Sequence, residues 1–379
     1  MSLPLRKKAL LSLAVTLGTL GTAELGLRVF GFQFMPKEVP LIIWNPDEDK
    51  QFDSLQALHK MDPECLWTPQ PYAAIPWEPG ESVNSRTYRG PLLEEDLREP
   101  PFRVAFLGDS STFGWGISHD QTYAARSAAA LSESGVPAQS LNAGVIGYTV
   151  LQGLHRYRSL VRSHKPDVVA LAFGAVNDHY QAPGKTSDIA KIQKLSSEGT
   201  GIGPALGWIR ERSRIAHFID SMRFERSGGE AALRKRYRES RRRDFISLSE
   251  VGKREYAGVR RISLAEYRRY LEELINEIRA DGAEPVLLSM PRKLASEAEA
   301  PVLLDYSHAT EVTATRLGVP LVDVRAHFRS FGEIYETALF LDNWHPRPKG
   351  HQVIADDLLP LLTSIARERG RAPTPKDKD

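Results

Sequence analysis

Four short segments hold residue types that together could perform nucleophilic acyl chemistry. Residues 106–114 contain Gly108-Asp109-Ser110, and residues 340–351 contain Asp342 and His345, three apart. A serine hydroxyl attacks poorly until a base takes its proton. The base in turn needs an acceptor that fixes its tautomer and stabilises its cation. The Asp342–His345 spacing lets a carboxylate reach one imidazole nitrogen while the other faces a nucleophile. Residues 142–149 include Gly147, whose N–H can be approached closely, and residues 173–179 include Asn177, whose carboxamide can donate. With the N–H of Ser110, those donors could stabilise a developing oxyanion. Taken singly, each segment also reads as a turn, a strand-to-helix loop or a helix cap. His351 competes with His345 for the role of base, but it falls at the start of a helix and reads as a packing histidine.

The surrounding elements would have to bring these segments together. Residues 103–107 form an apolar run that suits a buried strand, 123–134 a helix, 140–142 the end of a second strand, 150–163 a helix, and 168–173 a third, wholly apolar strand. After residue 263 the alternation resumes. Residues 263–280 have apolar side chains at helical spacing and a capping box of Ser263 with Glu266. Residues 285–289 read as a strand, 305–317 as a helix, 319–324 as a strand, and 346–367 contain the last helix. Such alternation predicts a parallel sheet covered by helices on both faces, with ligands at the carboxyl ends of the strands.

The four segments, in this order and each after a predicted strand, resemble the four blocks of the SGNH/GDSL hydrolases, membrane-anchored bacterial members included. The last block, Asp342-x-x-His345-Pro346 followed by Gly350-His351, is the most specific. Residues 84–90, Asn-Ser-Arg-Thr-Tyr-Arg-Gly, add weak support, being similar to a stretch that precedes the first block in anchored members. The resemblance covers roughly residues 101–180 and 263–365 and implies an α/β fold, a flavodoxin-like three-layer α/β/α sandwich. It makes Ser110 the nucleophile, Asp342 and His345 the relay, and Ser110, Gly147 and Asn177 the oxyanion donors. It implies no metal and no cofactor. In one departure, Ala175 stands where the family usually has glycine two residues before its asparagine, and Gly174 lies one residue further back.

The 379 residues carry a net charge of +2, which gives no electrostatic case for nucleic acid. Cys65 is the only cysteine, so neither an intrachain disulfide nor a cysteine zinc site can form; it reads as a small apolar core residue. Arg6, Lys7 and Lys8 precede an uncharged run over residues 9–23, the pattern of an export signal. Two readings follow: cleavage after Gly21-Thr22-Ala23, or an uncleaved anchor that continues through Leu25, Leu27, Val29 and Phe30 with Glu24 near the far interface. The resumption of apolar residues after Glu24 favours the anchor, and the positive-inside rule then puts the rest of the chain outside the cytoplasm.

The predicted organisation is an anchor or signal over 1–32, an irregular lead-in over 33–100, a catalytic domain over 101–365 with a long insertion at about 181–262, and a polar tail over 366–379. Within the insertion, residues 234–243 hold seven Lys or Arg among ten, read as a solvated, partly disordered stretch or, alternatively, as a surface for anionic polymer or lipid headgroups. The expected activity is a serine esterase acting on small acyl esters, acylated carbohydrate or lipid. Two other readings stay open: acyl transfer to a cell-surface polysaccharide, and a non-catalytic binding protein on the same fold.

Overall fold

The computed structural model describes residues 4–32, 34, 58–92, 101–180, 182, 185–198, 212–244 and 246–371. The chain divides into two compact units, residues 1–39 with 194–240 and residues 40–193 with 241–379.

In the second unit, β1 (His59–Asp62) and β2 (Leu66–Pro69) form an antiparallel pair within the stretch expected to be irregular. The main sheet holds β3 (Phe102–Gly108), β4 (Ala138–Asn142), β5 (Val168–Ala172), β6 (Glu284–Leu288) and β7 (Leu321–Val322). Its order is β4-β3-β5-β6-β7, and every neighbouring pair is parallel. This is the flavodoxin-like order, with the switch point between β3 and β5. Edge strand β7 pairs through only two residues, so it is shorter than the expected 319–324.

Side chains alternate faces along each strand. Val104, Phe106, Val168, Ala170, Val286 and Leu288 share a core with Ile354, Leu358 and Leu362 of helix Pro348–Glu368. That helix packs with helix Tyr123–Glu133, while helix Leu264–Ala280 packs with both Val150–Ser159 and Val302–Leu317. The sheet thus lies between helical layers, as the all-apolar strands require. The capping box at Ser263 and Glu266 is present: the Ser263 side chain accepts from the Glu266 N–H, and the Glu266 carboxylate accepts from the Ser263 N–H.

The region read as a partly disordered insertion contains helices among its described residues. Helices Asp188–Glu198, Arg214–Arg226 and Gly229–Asp244 lie there, and the last carries the basic cluster. In the first unit, helix Leu5–Val29 has no buried residue and is long and apolar enough to cross a membrane. Of the polar tail, residues 372–379 lie outside the described residues.

Candidate active site

The switch point places residue 109 directly after β3 and residue 173 directly after β5. Asp109 caps the short helix Ser110–Phe113 by accepting from the Ser111 N–H at 2.9 Å. The turn leaves the Ser110 hydroxyl facing the fourth segment, whose Phe340 and Pro346 form an isolated antiparallel bridge. Ser110 Oγ lies 2.8 Å from His345 Nε2, and His345 Nδ1 lies 2.7 Å from Asp342 Oδ2. A single tautomer satisfies both contacts, with the proton on Nδ1 donated to the carboxylate and Nε2 accepting from the serine. Asp342 Oδ1 also accepts from the N–H groups of Trp344 and His345, at 2.8 and 2.9 Å. Burial opposes its charge, but the imidazole and those two N–H groups outweigh it and hold the carboxyl at about 2.

Three of the sequence-derived residues thus meet side chain to side chain. The other two arrive through their loops. The second segment is docked on the Ser110 turn: the Val145 N–H donates to Gly108 O at 3.1 Å, and Asn142 Nδ2 donates to Thr112 O at 2.9 Å. Gly147 follows in that loop with φ at +76°. Asn177 Nδ2 donates to Asp109 Oδ2 at 2.9 Å, which ties the third segment to the residue beside Ser110. The departure at Ala175 is accommodated locally. Gly174 takes the positive φ, +81°, and a Cβ there would meet the Tyr267 hydroxyl at 2.5 Å.

His351 is buried, accepts the Tyr123 N–H at 3.1 Å and stacks on the Tyr123 ring. Burial, with the nearby charges of Arg126 and Arg89, pushes its imidazole down to about 3, so it is neutral and structural. Cys65 is likewise buried, and its thiol is pushed up to about 12, mainly by burial.

Residues 106–255 match the family model described as GDSL-like Lipase/Acylhydrolase family. That stretch resembles a GDSL-like lipase/acylhydrolase domain. The match takes in Ser110, Gly147 and Asn177 and ends before Asp342 and His345. Two similar solved structures are Axe2, an acetylxylan esterase from Geobacillus stearothermophilus, and LAE5, an alpha/beta hydrolase enzyme from the metagenome of Lake Arreo, Spain. The first is 17% identical, with 69% of this chain and 93% of that chain covered and a TM-score of 0.42. The second is 21% identical, with 69% and 95% covered and a TM-score of 0.42. No curated protein matches the chain.

The site is supported by residues that the spacing of the four segments does not reveal. Arg261 is buried and donates to Gly147 O at 2.7 Å, to Gln152 Oε1 at 2.7 Å and twice to Asp188 Oδ2, at 3.0 and 2.8 Å. It clamps the loop that holds Gly147, and its partner comes from helix Asp188–Glu198. Replacing it should act on turnover more than on binding. Arg261→Gln is expected to lower kcat by about 10- to 100-fold with little change in KM, because a small misplacement of Gly147 is costly. The variant should also lose stability, because the buried Asp188 carboxylate would be left with Lys191, at 3.8 Å, as its cation. Adding Asp188→Asn should restore thermal stability without restoring kcat; recovery of both would mean that Arg261 serves only the fold.

Arg89, from the Asn84–Gly90 stretch, has a fully buried side chain. It donates to the carbonyls of Gly114 and Ile117 at 3.2 and 2.8 Å and pairs with Glu81 at 2.6 Å. It therefore braces the loop that follows the Ser110 turn. In that loop, Trp115 stacks on the His345 ring, with centroids 5.5 Å apart.

Asp178 secures the third segment from behind. It accepts from the Val150 N–H at 2.9 Å and the Gly174 N–H at 3.2 Å. Burial outweighs these bonds and the nearby Arg261 charge, and raises its carboxyl from 3.8 to about 7. A raised folded-state value contributes stability that is whole below the unfolded value and is lost as pH rises through the folded one. The Tm of Asp178→Asn minus that of the parent should therefore rise between about pH 4 and about pH 8. A flat difference would show that Asp178 titrates alike in the folded and unfolded chains.

Proposed function

We propose that the chain is a membrane-anchored serine esterase that cleaves O-acyl esters, O-acetyl groups on carbohydrate included, through an acyl-enzyme. The hydrogen-bonded line Ser110–His345–Asp342, at 2.8 and 2.7 Å, carries this reading. His345 takes the Ser110 proton as Oγ attacks the carbonyl carbon. The oxyanion is met by the N–H groups of Ser110 and Gly147 and by the second carboxamide hydrogen of Asn177, whose first goes to Asp109. Collapse of the tetrahedral species breaks the ester C–O bond, and the alcohol leaves with the proton from His345. Water then repeats the sequence: His345 removes its proton as the hydroxide adds to the acyl carbon, and collapse of this second tetrahedral species breaks the bond to Ser110 Oγ, which takes the proton back from His345 as the carboxylic acid leaves.

Helix Leu5–Val29 is the anchor in this reading. Its threonines make themselves compatible with lipid, since the Thr16, Thr19 and Thr22 hydroxyls donate to the carbonyls of Ser12, Val15 and Gly18. The basic residues before it set the orientation, with the catalytic unit outside the cytoplasm.

The test is a fluorophosphonate probe followed by an acyl-chain series of p-nitrophenyl esters and acetylated xylo-oligosaccharides, each with and without a free sugar acceptor. The expected outcome is labelling that vanishes with Ser110→Ala and release of free acid that is indifferent to acceptor. Labelling that survives the substitution would refute the relay. Acyl-sugar formation that displaces acid release would make the protein a transferase.

A further inference from the structure

The first unit holds a feature that ester cleavage does not use. Glu24 stands five residues before the end of helix Leu5–Val29. Residues 9–29 rise roughly 31 Å at 1.5 Å per residue, which matches a hydrocarbon core of roughly 30 Å. A span of that register puts Glu24 roughly 7–8 Å inside the far boundary, where an unsatisfied carboxylate is costly. This carboxylate is satisfied. It accepts from the N–H groups of Arg214 and Ile215 and from the Ser213 hydroxyl, all at 3.0 Å, and from Arg28 Nε at 2.9 Å. Ser213 is the N-cap of helix Arg214–Arg226. The membrane helix therefore supplies the anion that the next helix's N-terminus favours, and it fixes that N-terminus at the depth of Glu24 rather than above the bilayer.

The exposed face of the helix so placed is apolar at its centre. Phe218, Ile219 and Met222 are 43%, 42% and 38% exposed and share one face at helical spacing. Phe218 meets Phe32 edge to face at 5.8 Å, and Phe32 follows the exposed Phe30, so the strip is continuous with the end of the membrane helix. Arg223 and Arg226 border it and are exposed. Beyond them, helix Gly229–Asp244 adds Lys235, Arg236 and Arg238, all exposed.

We infer that helix Arg214–Arg226 lies in the outer interface of the bilayer, with Phe218, Ile219 and Met222 among the acyl chains and the bordering arginines on anionic lipid headgroups. An apolar strip edged by long cationic side chains is the pattern of an interfacial helix, in which stems cover apolar surface while guanidinium groups reach phosphate. The inference rests on helix Leu5–Val29 spanning the membrane. It makes Glu24 a socket for a second membrane contact rather than a blemish in the span.

The test uses full-length chain in nanodiscs of phosphatidylethanolamine and phosphatidylglycerol, with single nitroxide labels and oxygen versus nickel-chelate accessibility as the depth gauge. Cys65 is buried and leaves the introduced cysteines as the labelling sites. Labels go at Phe218→Cys, Ile219→Cys and Met222→Cys, with Leu20→Cys as the mid-span control and Glu133→Cys as the water control. Labels at 218, 219 and 222 are expected roughly 5–10 Å below the headgroup boundary, between the two controls. Should all three read as water-exposed while the label at 20 reads as deep in the bilayer, the interfacial helix is refuted and the anchor stands. A water-exposed label at 20 would overturn the anchor and this inference with it.

Discussion

Ser110→Ala is expected to lower kcat for a short-chain p-nitrophenyl ester by about a million-fold while leaving the thermal midpoint close to that of the parent. The hydroxyl is 6% exposed, and its partner is the His345 ring, so its removal opens no large cavity. Helix Ser110–Phe113 keeps its cap, because Asp109 accepts from the Ser111 N–H rather than from the lost hydroxyl. KM should change little. The oxyanion donors do not depend on the hydroxyl, so residual turnover above that of free water should survive and should fall further when Asn177→Ala is added. A variant retaining more than about a hundredth of parental kcat would show that Ser110 is not the nucleophile.

What could be read from the sequence divides along physical lines. The strands were legible because a sheet covered on both faces demands unbroken apolar runs, and β3, β5 and β6 are such runs. The helices after residue 263 announced themselves by period and cap. Helix Gly229–Asp244 hid because, beyond the buried Leu233, its residues are almost all polar. No apolar stripe marks it, and ion pairs four residues apart, Glu230 with Arg234 and Lys235 with Glu239, lend it support instead. Its Arg-rich stretch therefore looked like solvated chain.

The same division runs through the candidate site. Ser110, Asp342 and His345 stand out because their chemistry is local to a turn or to one loop. Asp109 and Asn177 meet across 68 positions, and Arg261 reaches Gly147 across 114. Such pairs leave no trace in spacing, since they depend on which strands become neighbours. Arg89 had a faint signal in the Asn84–Gly90 stretch, but nothing there tells that its guanidinium is buried beneath the nucleophile turn, against the Phe113 ring at 5.1 Å. The shifted glycine of the third block is resolved by conformation rather than by position: the loop needs one residue at positive φ, and Gly174 provides it.

Asp342→Asn is expected to cost about ten-thousand-fold in kcat, and the reason is visible in its hydrogen bonds. Oδ1 accepts from two backbone N–H groups, so the oxygen of a carboxamide is obliged to stay there. The amide nitrogen then faces His345 Nδ1, which must accept instead of donate. The ring proton moves to Nε2, the atom 2.8 Å from Ser110, and the imidazole can no longer receive the serine proton. The loop keeps its shape, so the loss is one of tautomer and charge rather than of folding, and binding of a non-hydrolysable ester should be nearly unchanged. Stability offers a second readout. The folded carboxyl titrates at about 2 against an ordinary value of 3.8, so its contribution is present above the ordinary value and is lost as pH falls through the folded one. The gap in Tm between the parent and Asp342→Asn should thus be widest near neutrality and close below about pH 3. A variant within about tenfold of parental kcat, or a Tm gap that ignores acid, would remove Asp342 from the relay.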